Sequence, residues 1–239
     1  MDNRLKNIVA NYDSMRIGMG DTFRFHCTMC GKCCIEREDI LLNPYDIYRI
    51  AKALNKELHE VFSEYCETYL GGTSRMVLVR LNPRGSIKMC PLLVGQKCSV
   101  HAAKPAVCAL YPLGRGLKSE INETSDILHR DVQYIFQKPE CGDASEEHTV
   151  RDWLKDFDFL SDELYFKMWM QLAVDYGKAI KKIEGLKMDG LVNAVATSIL
   201  GIIYLNYKTD EPFLPQFEKN DSEYRKVLTD LMQDLPLEQ

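Results

Sequence analysis

The stretch Cys27-Thr28-Met29-Cys30-Gly31-Lys32-Cys33-Cys34 constrains this chain more than any other. Four of the nine cysteines fall within those eight residues. A hydrophobic core gains nothing from that density, because free cysteine packs as a small apolar residue. Thiolates crowded this closely repel one another, and a cation or oxidation to disulfides relieves the repulsion. The spacing C-x2-C-x2-C lets three sulfurs converge on one centre from a single loop. Gly31 suits such a loop, since it takes positive φ without steric cost. The stretch reads as a metal or iron–sulfur nest, for which the rest of the chain supplies further ligands and a cover.

The 239 residues allow one large domain or two small ones, and a hydrophobic content of 46% is enough to build a core. The formal charge of −5 argues against a nucleic-acid partner. The opening Met1-Asp2-Asn3-Arg4-Leu5-Lys6 carries charges with no apolar run behind it, so it does not read as a secretory signal. The expectation is a cytoplasmic protein with reduced thiols, where close cysteine spacings point to metal binding or redox chemistry. Residues 190–207 carry no charge, but Asn193, Thr197, Ser198, Gly201 and Asn206 interrupt the run. A spanning helix needs about 20 apolar residues, so this segment reads as a core helix and no membrane association is expected.

Along the chain, residues 3–14 suit a helix, and 21–26 alternate polar and apolar as a short strand. His26 reads as a neighbour of Cys27 and not as a ligand. Asn43 and Pro44 are good N-cap and first-turn residues for a helix over 45–54. A second helix is predicted over 57–70, ending at Gly71-Gly72, with Cys66 inside it as a buried thiol that binds nothing. Residues 75–82 and 87–93 are predicted to form a hairpin about Pro83-Arg84-Gly85-Ser86. Residues 126–137 can pair as a strand. Beyond Thr149 there is no cysteine, and helices are predicted over 150–158, 161–184, 188–207 and 220–233. The expected fold class is α+β and mainly helical. A cysteine-rich metal-binding part, residues 1–148, carries the small hairpin, and a helical part, 149–239, follows. A core shared between the two is left open.

Without Cys66, eight cysteines remain: Cys27, Cys30, Cys33, Cys34, Cys90, Cys98, Cys108 and Cys141. Eight thiolates match two [4Fe–4S] clusters or two four-cysteine zinc sites. They also match one cluster with spare or redox cysteines. Adjacent side chains in extended backbone point to opposite sides, so Cys33 and Cys34 reach one centre only in a bent loop. The first three cysteines repeat part of the bacterial ferredoxin ligation pattern, whereas zinc ribbons use two separated C-x2-C knuckles. The iron–sulfur cluster is therefore the favoured cofactor, with zinc the alternative. Arg24, Lys32, Lys97 and Arg115 lie close in sequence to these cysteines and can offset a net-negative site. No catalytic residue stands out.

CTMCGKCC followed by CPLL, KCSVH, a Lys-Pro and C-x-LYPLGR resembles the YkgJ-type cysteine-cluster family over roughly residues 21–150. That resemblance implies a domain that chelates zinc or iron. The chain departs from the family pattern at His101, where tyrosine is usual, and at Lys104 and Ala109, where arginine is usual. It also lacks the proline-rich match around Cys141-Gly142. None of these changes removes a thiol. The cysteine arrangement is also similar to that of the flagellin lysine methylases, which implies S-adenosylmethionine-dependent modification of protein lysines. The chain has neither a glycine-rich methyltransferase loop nor a C-x3-C-x2-C radical signature. Three functions follow as expectations. One is an iron–sulfur protein with a redox or protein-modifying reaction and a protein substrate or redox partner. The second is a zinc-stapled interaction module without catalysis, and the third is a metal-handling or sensing protein.

Overall fold

The computed structural model describes residues 3–37, 40–118, 127–159 and 161–235. It is an α+β fold, mainly helical, with small sheets. Helix α1 (Asn3–Met15) leads into the two-residue strand β1 (Arg16–Ile17) and then β2 (Thr22–His26). β2 alternates as its sequence predicts, burying Phe23 and Phe25 while Thr22 and Arg24 stay exposed. After the cysteine nest come β3 (Leu41–Leu42) and α2 (Pro44–Leu54). The Asn43 side chain caps α2 by accepting from the Asp46 N–H, and Asp46 returns the bond to the Asn43 N–H.

Helix α3 (Leu58–Tyr65) is shorter than its sequence suggests. Residues 66–70, predicted as its last turn, form strand β4 (Cys66–Leu70). β4 pairs in antiparallel register with β5 (Val77–Leu81), and Gly71-Gly72 lie in the turn between them instead of ending a helix. The β-formers of residues 77–81 demand a partner, and Cys66 to Leu70 satisfy their ladder hydrogen bonds. This pairing also displaces the predicted hairpin. β5 sits between β3 and β4, while the Pro83–Ser86 turn closes only a single bridge between Arg84 and Met89. The small hairpin lies further on, between β6 (Leu93–Val94) and β7 (Lys97–Cys98).

Helix α4 (Ala106–Leu110) precedes β8 (Leu113–Leu117). Strand β9 (Val132–Phe136) is the centre of a β1–β9–β8 sheet, which meets the expectation of a strand within 126–137; residue 126 itself lies outside the described residues. Strand β10 (Asp143–Thr149) pairs back onto β2. The helices that follow are α5 (Val150–Asp156), α6 (Glu163–Gly185), α7 (Asp189–Ile199) and α8 (Phe213–Asp234). α7 continues as a π-helical turn over Leu200–Tyr204. α8 begins at Phe213, earlier than predicted. Pro215 falls in its first turn, where a missing N–H costs no intrahelical bond. Among the described residues no helix is long and apolar enough to cross a membrane.

Two apolar clusters organise the chain. The larger takes Ile47, Ile50 and Val61 from α2 and α3, Val79 and Leu81 from β5, Leu172, Tyr176 and Ile180 from α6, and Phe217 and Tyr224 from α8. Residues before and after 148 thus share that cluster. The smaller one joins Phe23 and Phe25 of β2 to Leu110, Leu113, Tyr134, Trp153 and Phe159.

Candidate metal centre

Between the two clusters lies a cavity of about 470 Å³. Its wall includes Cys27, Cys30, Cys33, Cys34, Cys90, Cys98, Cys108 and Cys141, all eight of the expected thiols. Cys66 is not part of it. That ninth cysteine starts β4, packs against the larger core and lies within 3.8 Å of the Val61 carbonyl. Burial pushes its thiol up to about 12. All nine cysteines are free thiols.

Each thiol is delivered by a definite local structure. Gly31 adopts φ of 72° and starts the single 3-10 turn Lys32–Cys34. That turn is the bent loop which adjacent cysteines need, and it brings the Cys33 and Cys34 sulfurs to 3.9 Å. Met29 also holds a positive φ of 52°, uncommon for a residue other than glycine, so the nest backbone is tightly bent on both sides of Cys30. The Cys90 N–H donates to the Cys34 carbonyl at 2.7 Å, which fastens the second cysteine region to the nest. The β6–β7 hairpin presents Cys98 opposite Leu93. Helix α4 carries Cys108, and the Ala106 N–H at its start donates to Asp46 Oδ1 at 2.7 Å. The β2–β10 ladder sets Asp143 opposite His26, so Cys141 lies beside Cys27 at the ladder's end.

Gly142 is required in that arrangement. Its φ is 71°, and a Cβ there would meet the His26 carbonyl oxygen at 2.4 Å and the Phe25 ring at 2.7 Å. Its N–H and that of Lys32 point at the Cys30 sulfur and draw that thiol below its ordinary value. The other shifted cavity thiols move up. Cys33 rises because of its hydrogen bond with Cys34, then through burial. Burial raises Cys90, Cys98 and Cys108 and pushes Cys141 up to about 11. A cation must therefore displace protons from most of these sulfurs, which is the general cost of a thiolate site.

Tyr111 belongs to this centre although sequence reasoning passed over it. Its hydroxyl accepts from the Glu140 N–H at 2.9 Å and reaches the Cys141 sulfur, so it holds the Cys141 loop. The only signal was its place in the LYP run after Cys108. The cations around the thiols also differ from those expected. Arg24 pairs with Glu147 on the surface, and Arg115 is bound to Asp162 at 2.6 Å. Lys32 does act on Cys30, whereas Arg37, Arg84 and Lys104 act on the others. His26 contacts Asp143 and Glu146 instead of turning into the cavity, in keeping with its reading as a neighbour.

Soft thiol donors that converge from five segments fit zinc or iron, and they fit an oxygen-preferring cation poorly. Among the described residues no three His, Cys, Asp or Glu side chains are gathered at the spacing of a single ion. The sulfurs ring a volume. Fold and cavity together define a thiol-lined metal-binding domain with helices packed on it. Residues 26–142 match the model of the CxxCxxCC family, described as a "putative zinc- or iron-chelating domain". No curated protein and no solved structure matches the chain.

Proposed function

We propose that the cavity holds iron–sulfur clusters, with Cys27, Cys30, Cys33, Cys34, Cys90, Cys98, Cys108 and Cys141 as the ligands of up to two four-thiolate centres. The observation that carries this reading is the lining of one cavity by all eight of these cysteines, with Cys66 left out. Its volume of about 470 Å³ is far more than one ion fills, and the nest has the ferredoxin-like spacing. A bound cluster supplies one-electron transfer. The chain's own contribution is to gather the thiols, exclude water with Leu92, Leu93 and Phe25, and direct the Lys32 and Gly142 N–H groups at Cys30. Cys30 is exposed and so faces a redox partner or protein substrate. A reducing cytoplasm keeps such thiols available.

Anaerobic purification with metal analysis and an absorption spectrum tests the reading. Iron and sulfide with broad absorbance near ~400 nm are expected, and both disappear when the nest cysteines are replaced. A colourless protein with stoichiometric zinc refutes it.

One distance favours zinc. Zinc–sulfur bonds of about 2.3 Å give tetrahedral sulfur–sulfur edges of about 3.8 Å. The Cys33–Cys34 separation of 3.9 Å matches that edge. In that reading the site is a staple that joins the nest, the β6–β7 hairpin, α4 and the Cys141 loop, and the helices present a partner surface.

A further inference from the structure

Among the described residues, four that are polar or charged are buried: Asp46, Lys104, Asn220 and Asp221. Three of them are bonded. Asp46 accepts backbone N–H groups from Asn43 and Ala106, Asp221 pairs with Arg225, and the Asn220 amide bonds to Asn206. Lys104 differs. It is 8% exposed and has no hydrogen bond or ion pair among the described residues. Its Nζ lies 4.8 Å from the centre of the Phe157 ring. A cation over an aromatic face regains part of its lost hydration, but a buried charge without an anion remains expensive. Lys104 sits between the 3-10 turn His101–Ala103 and Pro105, and it lines the thiol cavity.

It shares the wall of that cavity with Cys98 and Cys108. Neutral thiols leave Lys104 without a counter-ion. Four thiolates on a dication leave a net-negative centre, which is the missing anion. Lys32, Arg37 and Arg84, which act on Cys30, Cys33 and Cys90, are all more exposed.

We infer that Lys104 is the built-in counter-charge of the metal–thiolate centre, a positioning residue that makes the cavity favour an anionic centre over its free thiols. The inference rests on the metal-binding reading but not on which metal is held. Lys104→Met keeps the length and apolar stem and removes the charge; Lys104→Arg keeps the charge.

Chelator competition on the full chain, loaded with zinc or reconstituted with iron and sulfide, reads retention. Lys104→Met is expected to release metal at about 10- to 100-fold lower chelator activity, as for other residues that support metal ligands, and Lys104→Arg to behave as wild type. Thermal midpoints give the second readout. Lys104→Met lowers the midpoint of the loaded chain and raises that of the metal-free chain, because it removes an uncompensated charge. Equal chelator midpoints in wild type and Lys104→Met overturn the inference. So does an equal shift of the thermal midpoint in both states, which marks a merely structural lysine. If Lys104→Met does not fold, Lys104→Gln takes its place in both measurements. A wild-type chain that takes up no metal refutes the metal reading itself, whereas a wild type and variant that bind alike remove only the role of Lys104.

Discussion

The two sides of this molecule are held by different physics. Around Ile180 and Tyr224 the packing is continuous: helices and the β3–β5–β4 sheet bury side chains that need no partner but one another. Around the cavity the chain is mostly short turns and two-residue strands, and most of the thiols are pushed toward their neutral form.

 

Burial of apolar surface stabilises the first side whether or not a metal is present, whereas the second side gathers ligands that an unfolded chain never assembles. The comparison teaches that the boundary runs through chemistry and not along the sequence. β3 and β5 belong to the apolar side although they lie among the cysteines, and α5 belongs beside the cavity through the Trp153 Nε1 bond to the Leu110 carbonyl.

The largest expected effect breaks the comparison most directly. Metal binding at a structural thiolate site contributes on the order of 10 kcal/mol of folding free energy. Chelation should therefore free residues 27–37, 84–104 and 138–143 to proteolysis and rapid hydrogen exchange, while α2, α6, α7 and α8 keep their protection. Equal exposure of α6 and α8 in the stripped protein would show that the apolar side has no stability of its own.

The reverse experiment targets the apolar side. Ile180 is fully buried on α6, and Ile180→Ala should cost about 2–5 kcal/mol through lost contacts and a residual cavity. Denaturant midpoints of the loaded and stripped protein should fall together, with metal content unchanged. A loss of metal in this variant would mean that the two sides are coupled. The matching pair on the other side is Cys98→Ala, which should lower metal content, and Cys66→Ala, which should not.

Asp46 links the sides and makes the comparison depend on pH. Burial pushes its carboxyl up to about 6, above an ordinary value of about 3.9. Between those values the folded chain holds a proton that the unfolded chain has released, so stability falls as pH rises through the window. The full effect is roughly 3 kcal/mol, present below about pH 4 and lost above about pH 6. Asp46→Asn should flatten this slope. The difference between wild type and variant is the quantity to plot, because proton uptake by the thiols is common to both. Identical slopes would place the proton elsewhere.

The sequence made the thiol side legible and the cation side obscure, for a physical reason. Cysteine is scarce and its spacing within one loop is a local property, so the nest, the four later cavity cysteines and the outlying Cys66 could be read without a structure. The capping residues Asn43 and Pro44 are local in the same sense. Strand pairing is not local. Residues 66–70 read as helix until β5 offers them a ladder, and 87–93 read as a strand until that partner is taken. Tyr111 and Lys104 acquire their places from chain folding back over long separations, and the LYP run and the Lys-Pro pair around them mark the motif without telling what either side chain touches.

The smallest expected effect sharpens the same lesson. Arg24 and Arg115 look alike in sequence, each a cation close to a cysteine. In the fold their side chains are 56% and 4% exposed. Arg24 meets Glu147 at 3.4 Å across the exposed face of the β2–β10 ladder, where solvent screens the pair and holding two long side chains costs entropy. Arg115 is fixed to Asp162 and lies 4.0 Å from the centre of the Phe166 ring, so its removal strands a buried carboxylate. Arg115→Ala should therefore destabilise the chain strongly, in both the loaded and the stripped state. Arg24→Ala should leave the thermal midpoint and the metal content where they are at ordinary ionic strength. Thermal melts at low and high salt check this: a drop in the Arg24→Ala midpoint that persists in high salt, or any loss of metal, would mean that Arg24 supports the thiols after all, as its place in the sequence first suggests.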